Sequence, residues 1–127
     1  MRYVCLVHVD GSAMGALSAQ EGTALTDSSI EFDWEMKRRG HLVLAQPLQP
    51  PEAAVTVRVR DGKASSTDGP YIETKEFLGG FFLIEARDLD EAKELAALSP
   101  MASMGSIEIR PTLEQTHSVT GQGRPPV

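Results

Sequence analysis

The sequence predicts an α+β domain in which helices cover one face of a β-sheet. Short stretches with a two-residue apolar period alternate with segments that carry helix start and stop signals. The clearest of these stretches are residues 2–9 and 55–60. The length of 127 residues suits a single domain with its own core.

The first half of the chain predicts a strand, two helices and a second strand. Residues 2–9 form the first strand, with Tyr3, Cys5, Val7 and Val9 on one face and Val4, Leu6 and His8 on the other. A loop follows over 11–15. Ser18 and Glu21 form a capping box that starts a short helix over 19–25. A second helix over 30–39 ends at Gly40, and 41–45 is the next strand.

The second half predicts a hairpin, a buried strand, a helix and a last strand. Residues 55–60 and 63–67 flank Asp61-Gly62, a hairpin turn signal. An apolar strand occupies 80–86, Asp88 caps a helix that runs to Leu98, and 106–110 is the final strand. Residues 1–111 are therefore the expected domain, and 112–127 a polar, flexible tail. Without the hairpin the order is βαββαβ, a ferredoxin-like sheet.

The second helix carries two apolar stripes. Ile30 pairs with Trp34, and Phe32 with Met36, at i,i+4 spacing. One stripe is expected to pack against the sheet of its own chain. The other stripe would then contact either a partner subunit or a wider face of the core.

Composition excludes several classes of protein. The formal net charge is −6 at pH 7 and only Lys37-Arg38-Arg39 clusters, so a nucleic-acid-binding protein is not expected. No apolar run reaches the length of a membrane span, and the N-terminus does not resemble a signal peptide. The single cysteine, Cys5, favours a reducing, cytoplasmic location and an inert core thiol.

The segment 68–80 is the best candidate for a site, because a polar, turn-rich stretch precedes a buried strand. Asp68, Tyr71, Glu73, Lys75 and Glu76 are the candidate ligand-binding residues. Lys75 suits an anionic group, and the carboxylates can accept protons. The alternative is structural: Asp68-Gly69-Pro70 builds a turn and the charged residues form a solvated loop.

Catalysis has one further candidate, His8 at the end of the first strand. With Asp68 as its orienting carboxylate, His8 would act as an acid or base, although a hydrogen-bonded structural histidine is an alternative. His41 and His117 are too widely spaced in sequence to predict a metal site with it. No nucleotide or phosphate-binding motif occurs, so no cofactor is expected.

Three blocks of sequence carry a resemblance to a known family. They are Val57 to Gly62, Thr67 to Phe81 and Ser106 to Pro111. In these blocks the chain resembles the YCII-related family, in its DGPF-motif branch, with Tyr71 in place of the motif's Phe. The resemblance implies a ferredoxin-like fold that pairs as a homodimeric α+β barrel. It also implies a small bacterial cytoplasmic protein of undefined biochemical role, with some relatives linked to sigma factors.

The chain departs from that family at two positions. Relatives carry a His and an Asp, proposed as an acid/base pair, where counting from Gly40 and Pro100 places Ser29 and Ser99. Serine does not titrate near neutral pH, so this pair is not carried over. The sequence therefore predicts a small polar or anionic ligand in a cleft near 68–76. The alternatives are an enzyme that uses His8 and Asp68, or a transcription-associated interaction module.

Overall fold

The computed structural model describes residues 1–127 and contains one four-stranded antiparallel sheet and one separate hairpin. The strands are β1 (Arg2–Asp10), β2 (Leu42–Pro47), β3 (Val55–Arg60), β4 (Lys63–Asp68), β5 (Glu76–Glu85) and β6 (Gly105–Pro111). The helices are α1 (Gly11–Gly15), α2 (Ala19–Arg38) and α3 (Leu89–Ala97), and short 3-10 helices span Pro51–Ala53 and Pro100–Ser103. The strand order β2-β5-β1-β6 confirms the ferredoxin-like sheet, with β3 and β4 as the added hairpin.

The core lies between the sheet and the two longer helices. The alternation in β1 is as predicted, because Tyr3, Cys5, Val7 and Val9 are all buried on the helix side. From the helices, Phe32 and Met36 of α2 and the inward residues of α3 complete this core. One face of the sheet is therefore covered within the chain, and the other is open.

Two predictions about the segment 11–39 are wrong. The predicted loop 11–15 is a single helical turn, because the Asp10 carboxylate accepts hydrogen bonds from the backbone N–H groups of Ser12 and Ala13. The two predicted helices are one continuous helix, α2. No proline or glycine interrupts residues 23–38, so the N-cap types at 27–29 are tolerated inside the helix.

The ends of α2 are as expected. Ser18 and Glu21 form the reciprocal capping box, and Gly40 adopts a φ of +80° just past the helix. Only one of its two stripes is buried, since Ile30 and Trp34 remain 52% and 60% exposed. A wider core face is therefore not the reason for the second stripe.

The hairpin stands apart from the main sheet. Its turn residues Asp61 and Gly62 have φ angles of 52° and 73°, the left-handed pair of a tight two-residue turn. Strands β3 and β4 pair only with each other. After β6, an isolated bridge joins Thr116 to Gly123 in the segment that was expected to be a flexible tail.

Candidate functional site

A cavity of about 480 Å³ lies between α2 and the helix-side face of the sheet. Its walls come from α2, β2, β5 and the turn that follows α3. All four phenylalanines of the chain are among its lining residues, and Phe32, Phe77 and Phe82 face it from the helix side, whereas Phe81 pairs with Leu6 of the open face. A volume of this size is typical of sites for small organic ligands.

A β-bulge in β5 shapes this cavity. Val7 pairs with Gly80 and His8 with Leu78, so Gly79 is the extra residue. The bulge changes the alternation of faces, so that Phe77 pairs opposite Val9 and Phe82 opposite Cys5, both on the helix side. A Cβ at Gly79 would lie 2.5 Å from Val9 Cγ2, so this close approach of β5 to β1 requires glycine.

Five polar residues line the cavity: Thr26, Ser29, Asp33, Gln46 and Ser99. Thr26 and Gln46 are exposed, whereas Ser29 and Asp33 are half-buried and Ser99 is buried. The hydroxyl oxygen of Ser29 is buried and has no hydrogen-bond partner. Ser99 is 7% exposed, and its Oγ accepts from the backbone N–H of Met101 at 3.2 Å. The two serines that the family resemblance singled out therefore line one cavity, as a paired site requires.

Asp33 is the titratable group of this cavity. It lies one helical turn after Ser29, and its carboxylate makes neither a hydrogen bond nor an ion pair within the chain. Partial burial raises the pKa of Asp33 above its ordinary value of 3.8. Sequence reasoning missed Asp33, although its place four residues after Ser29 on the same helix was available as a signal.

The predicted segment 68–76 does not line this cavity. Asp68, Tyr71, Glu73 and Lys75 are exposed, and the Asp68 carboxylate makes no hydrogen bond. The Arg58 guanidinium carbon lies 5.6 Å from the centre of the Tyr71 ring. The location expected for the cleft therefore differs from the location of the cavity that the fold forms.

Backbone contacts hold that segment in place instead. Gly69 has a φ of +105°, its N–H donates to the Ala54 carbonyl at 2.7 Å, and its own carbonyl accepts from the Thr56 hydroxyl at 3.0 Å. Glu76 starts β5, where its carboxylate accepts from the Ser106 hydroxyl at 2.9 Å. These contacts agree with the structural alternative for the Asp68-Gly69-Pro70 turn, with the backbone in place of the Asp68 side chain.

His8 lies on the open face of the sheet. Its Nε2 is 3.2 Å from Oε1 of Glu108 on β6. The His8–Asp68 pair considered from the sequence is not formed in this structure, since Asp68 ends β4 in the separate hairpin. The open face beside His8 is apolar: Val4, Leu6 and Leu83 are half-buried, and Leu44 and Leu78 are exposed by 38% and 42%.

The structure gives no support for a metal site, a reactive cysteine or a membrane span. No three His, Cys, Asp or Glu side chains are grouped as a metal ion would require. Cys5 is completely buried, and that burial raises the pKa of its thiol to about 12. No helix is both long enough and apolar enough to cross a membrane.

Comparison with known proteins identifies the family of this chain. The family model for the YCII-related domain matches residues 1–116. The chain belongs to the YCII-related family. A relative in Rhizobium meliloti (strain 1021), an uncharacterized protein, is 36% identical over 115 residues, which is 87% of this chain and 91% of that protein.

The fold of this YCII-related protein also resembles a solved enzyme structure. That structure is 5-chloro-2-hydroxyhydroquinone dehydrochlorinase from Burkholderia phenoliruptrix in complex with 2,5-dihydroxybenzoquinone. The TM-score is 0.53 over 91% of this chain and 96% of that chain, at 13% sequence identity. At this identity the likeness supports the fold alone.

Proposed function

We propose that this YCII-related protein binds a small, planar molecule with polar substituents in the cavity between α2 and the sheet. The observation that carries the proposal is the buried, unpartnered hydroxyl of Ser29 in the cavity wall. A buried polar group without a partner is costly, and a bound ligand that hydrogen bonds to it removes that cost.

The cavity walls favour a planar ring. Phenylalanine rings pack against the faces and edges of other rings, and Phe32 and Phe82 already meet edge to face at 5.6 Å. Ser29, Ser99 and Asp33 supply hydrogen bonds for hydroxyl or carbonyl substituents on such a ring. The structural neighbour was solved with a dihydroxylated quinone, a ligand of the same chemical type.

Asp33 decides whether the site can do chemistry as well as bind. A carboxyl group with a raised pKa that faces a ligand can accept or donate a proton. Ser29 and Ser99 can only donate and accept hydrogen bonds. Proton transfer in this cavity therefore depends on Asp33 and not on the serines.

Binding of small probes tests the proposal. Ligand-observed NMR with resorcinol and 2,5-dihydroxybenzoquinone should show binding, and cyclohexanol, which lacks a planar ring, should bind more weakly. Ser29→Leu should weaken binding strongly, because it removes the hydroxyl and the larger side chain occupies part of the cavity. Ser28→Leu is the matched control, since Ser28 is exposed on the same helix. Undiminished binding by Ser29→Leu would place the ligand elsewhere.

The segment 68–76 remains a proposal for a separate surface contact. Asp68, Tyr71, Glu73 and Lys75 are accessible to a polar or anionic ligand there, and the acid–base alternative needs Asp68 to approach His8. Lys75→Ala and Asp68→Ala should leave the resorcinol signal unchanged if the cavity is the binding site. Loss of that signal in either variant would favour the surface segment.

We also propose that the protein is a cytoplasmic homodimer joined through the open face of the sheet. The apolar residues Val4, Leu6, Leu78 and Leu83 lie there without cover from the chain itself. Light scattering at micromolar concentration should give twice the monomer mass, and Leu6→Lys should shift the protein to monomer. A wild-type monomer would contradict this arrangement.

A further inference from the structure

Asp33 is the only charged residue among those that line the cavity. The strands and the turn after α3 contribute no lysine, arginine or histidine to the wall. Lys37 follows Asp33 by one turn of α2, but it is exposed, lies outside the wall and makes no ion pair with Asp33. A negatively charged ligand would therefore lose water in this cavity without gaining a partner of opposite charge, which is costly.

The helical parts of the cavity wall offer no free N–H group to an anion. The stretch of α2 from Leu25 to Asp33 lies inside the helix, where each N–H group donates to a carbonyl group one turn earlier. At the turn after α3, the N–H group of Met101 already donates to Ser99 Oγ. A helix N-terminus, the usual backbone site for an anion, is therefore not open to this cavity.

The Asp33 carboxylate has acceptor sites that the protein leaves unused. Desolvation is the single cause of its raised pKa, and no ion pair or hydrogen bond within the chain offsets it. Asp33 is only half-buried, so the carboxylate keeps contact with water and can carry its charge. An ammonium group would supply both hydrogen-bond donors and the opposite charge, and such charge-assisted hydrogen bonds are roughly twice as strong as neutral ones.

The aromatic part of the wall also suits a cation that is attached to a ring. Phe32, Phe77 and Phe82 face the cavity from the helix side of the sheet. The face of a phenylalanine ring attracts a cation that lies above it, and its edge and face pack against other rings. Both parts of a ligand that combines a ring with an ammonium group therefore meet matching surfaces.

Two polar contacts lie at a spacing that a substituted ring can span. Ser29 and Asp33 are at i,i+4 on the same side of α2, about 6 Å apart along the axis at roughly 1.5 Å per residue. The buried Ser29 hydroxyl has no partner and can bind a polar substituent at one end of the ring. Asp33 can then bind an ammonium group at the other end.

We infer that the cavity takes a planar ring that carries an alkylammonium group, with the ammonium group on Asp33 and a hydroxyl or carbonyl substituent on Ser29. This inference rests on the proposed function and specifies the charge of the ligand, which that function leaves open. The same wall disfavours carboxylates and phosphates. The net charge of −6 adds a general attraction for cations.

Three phenols of matched size and shape test the charge preference. At pH 7 tyramine is a cation, tyrosol is neutral and 4-hydroxyphenylacetate is an anion. NMR titration at physiological salt should show that tyramine binds about tenfold more tightly than tyrosol, and that 4-hydroxyphenylacetate binds most weakly of the three. Resorcinol should compete with tyramine, because both occupy the same cavity.

Asp33→Asn keeps the size of the side chain and removes its charge. This variant should bind tyramine about tenfold more weakly and tyrosol nearly as before, so that the preference disappears. Glu31→Gln is the matched control, because it removes the same charge from an exposed position of α2 outside the cavity wall. Ser29→Ala should weaken tyramine and tyrosol by the same factor, since its hydroxyl binds the phenol group.

The outcomes separate this inference from the proposed function. Equal affinities for tyramine and tyrosol, tighter binding of 4-hydroxyphenylacetate, or a tyramine preference that survives in Asp33→Asn would overturn the inference alone, provided that resorcinol binds. If resorcinol and all three phenols fail to bind, both are overturned.

Intermolecular NOEs test the same contact in the wild-type protein, without any substitution. The methylene group next to the tyramine nitrogen should give NOEs to the Asp33 side chain, and the ring should give NOEs to Phe82. NOEs from that methylene group to the exposed segment 68–76, with none to Asp33, would overturn the inference.

Discussion

Removal of the Ser29 hydroxyl should stabilise the ligand-free protein and weaken ligand binding. The Ser29 oxygen is buried without a partner, and mutational data put the cost of such a group at about 1–3 kcal/mol. Alanine also has a higher helix propensity than serine, by about 0.5 kcal/mol. Ser29→Ala should therefore raise the free energy of unfolding by about 1.5 kcal/mol or more.

Ser28→Ala is the matched control, since it has the propensity gain alone. Ser28 is exposed one residue earlier in the same helix, so this substitution should add only about 0.5 kcal/mol. Urea denaturation with linear extrapolation measures both values, and each kcal/mol corresponds to about 4 °C in Tm for a domain of this size.

Affinity for resorcinol should move in the opposite direction. Loss of one hydrogen bond of about 1 kcal/mol weakens binding about fivefold in Ser29→Ala and leaves Ser28→Ala unchanged. Equal stabilities of the two variants would refute the reasoning, because the Ser29 hydroxyl would then already have a partner. Stabilisation without loss of affinity would refute its role in the ligand site.

Three further predictions concern stability and reactivity. Gly105→Ala should destabilise the protein by about 3 kcal/mol or more in urea denaturation, because its Cβ would lie 2.0 Å from the His8 carbonyl oxygen. Gly15→Ala is the control: a Cβ there meets open space, so the free energy of unfolding should be nearly unchanged. Asp33 has a folded pKa raised above 3.8, so the folded state binds more protons and stability falls as pH rises through that window; Asp33→Asn should be more stable than wild type at neutral pH and lose that advantage below pH 3.8. If the free energy of unfolding depends on pH in the same way for wild type and Asp33→Asn, Asp33 is solvated like a free carboxylate. Cys5, with its thiol pKa raised to about 12, should not react with a disulfide reagent at pH 8 until urea unfolds the chain, and rapid reaction of the native protein would contradict the burial of β1.

Local signals in the sequence predict most of the elements. The alternation in β1, the capping box at Ser18 and the Asp61-Gly62 turn depend on interactions within a few residues, and all three are found as predicted. The division of α2 was predicted wrongly for the same reason. Cap-type residues at 27–29 are neutral locally, and only the packing of Phe32 and Met36 against the sheet decides that the helix continues.

The candidate site depended on contacts between distant segments. Ser29 and Ser99 are 70 positions apart in the sequence, and they were singled out only through the family resemblance. The segment 68–76 was favoured because polar turn residues are locally conspicuous, yet a cavity requires walls from several elements. The spacing of Asp33 from Ser29 was visible in the sequence, but its desolvation was not, because its neighbours in space determine it.

The sequence by itself determined the fold class, the order of the strands and the buried face of β1, since these follow from short-range periodicity and turn chemistry. Tertiary structure alone decided where the cavity lies. The bulge at Gly79 brings Phe77 and Phe82 to the same side of β5, and α2 then carries Ser29 and Asp33 over them. Such a register shift depends on the pairing of β5 with β1, which no local pattern of residues specifies.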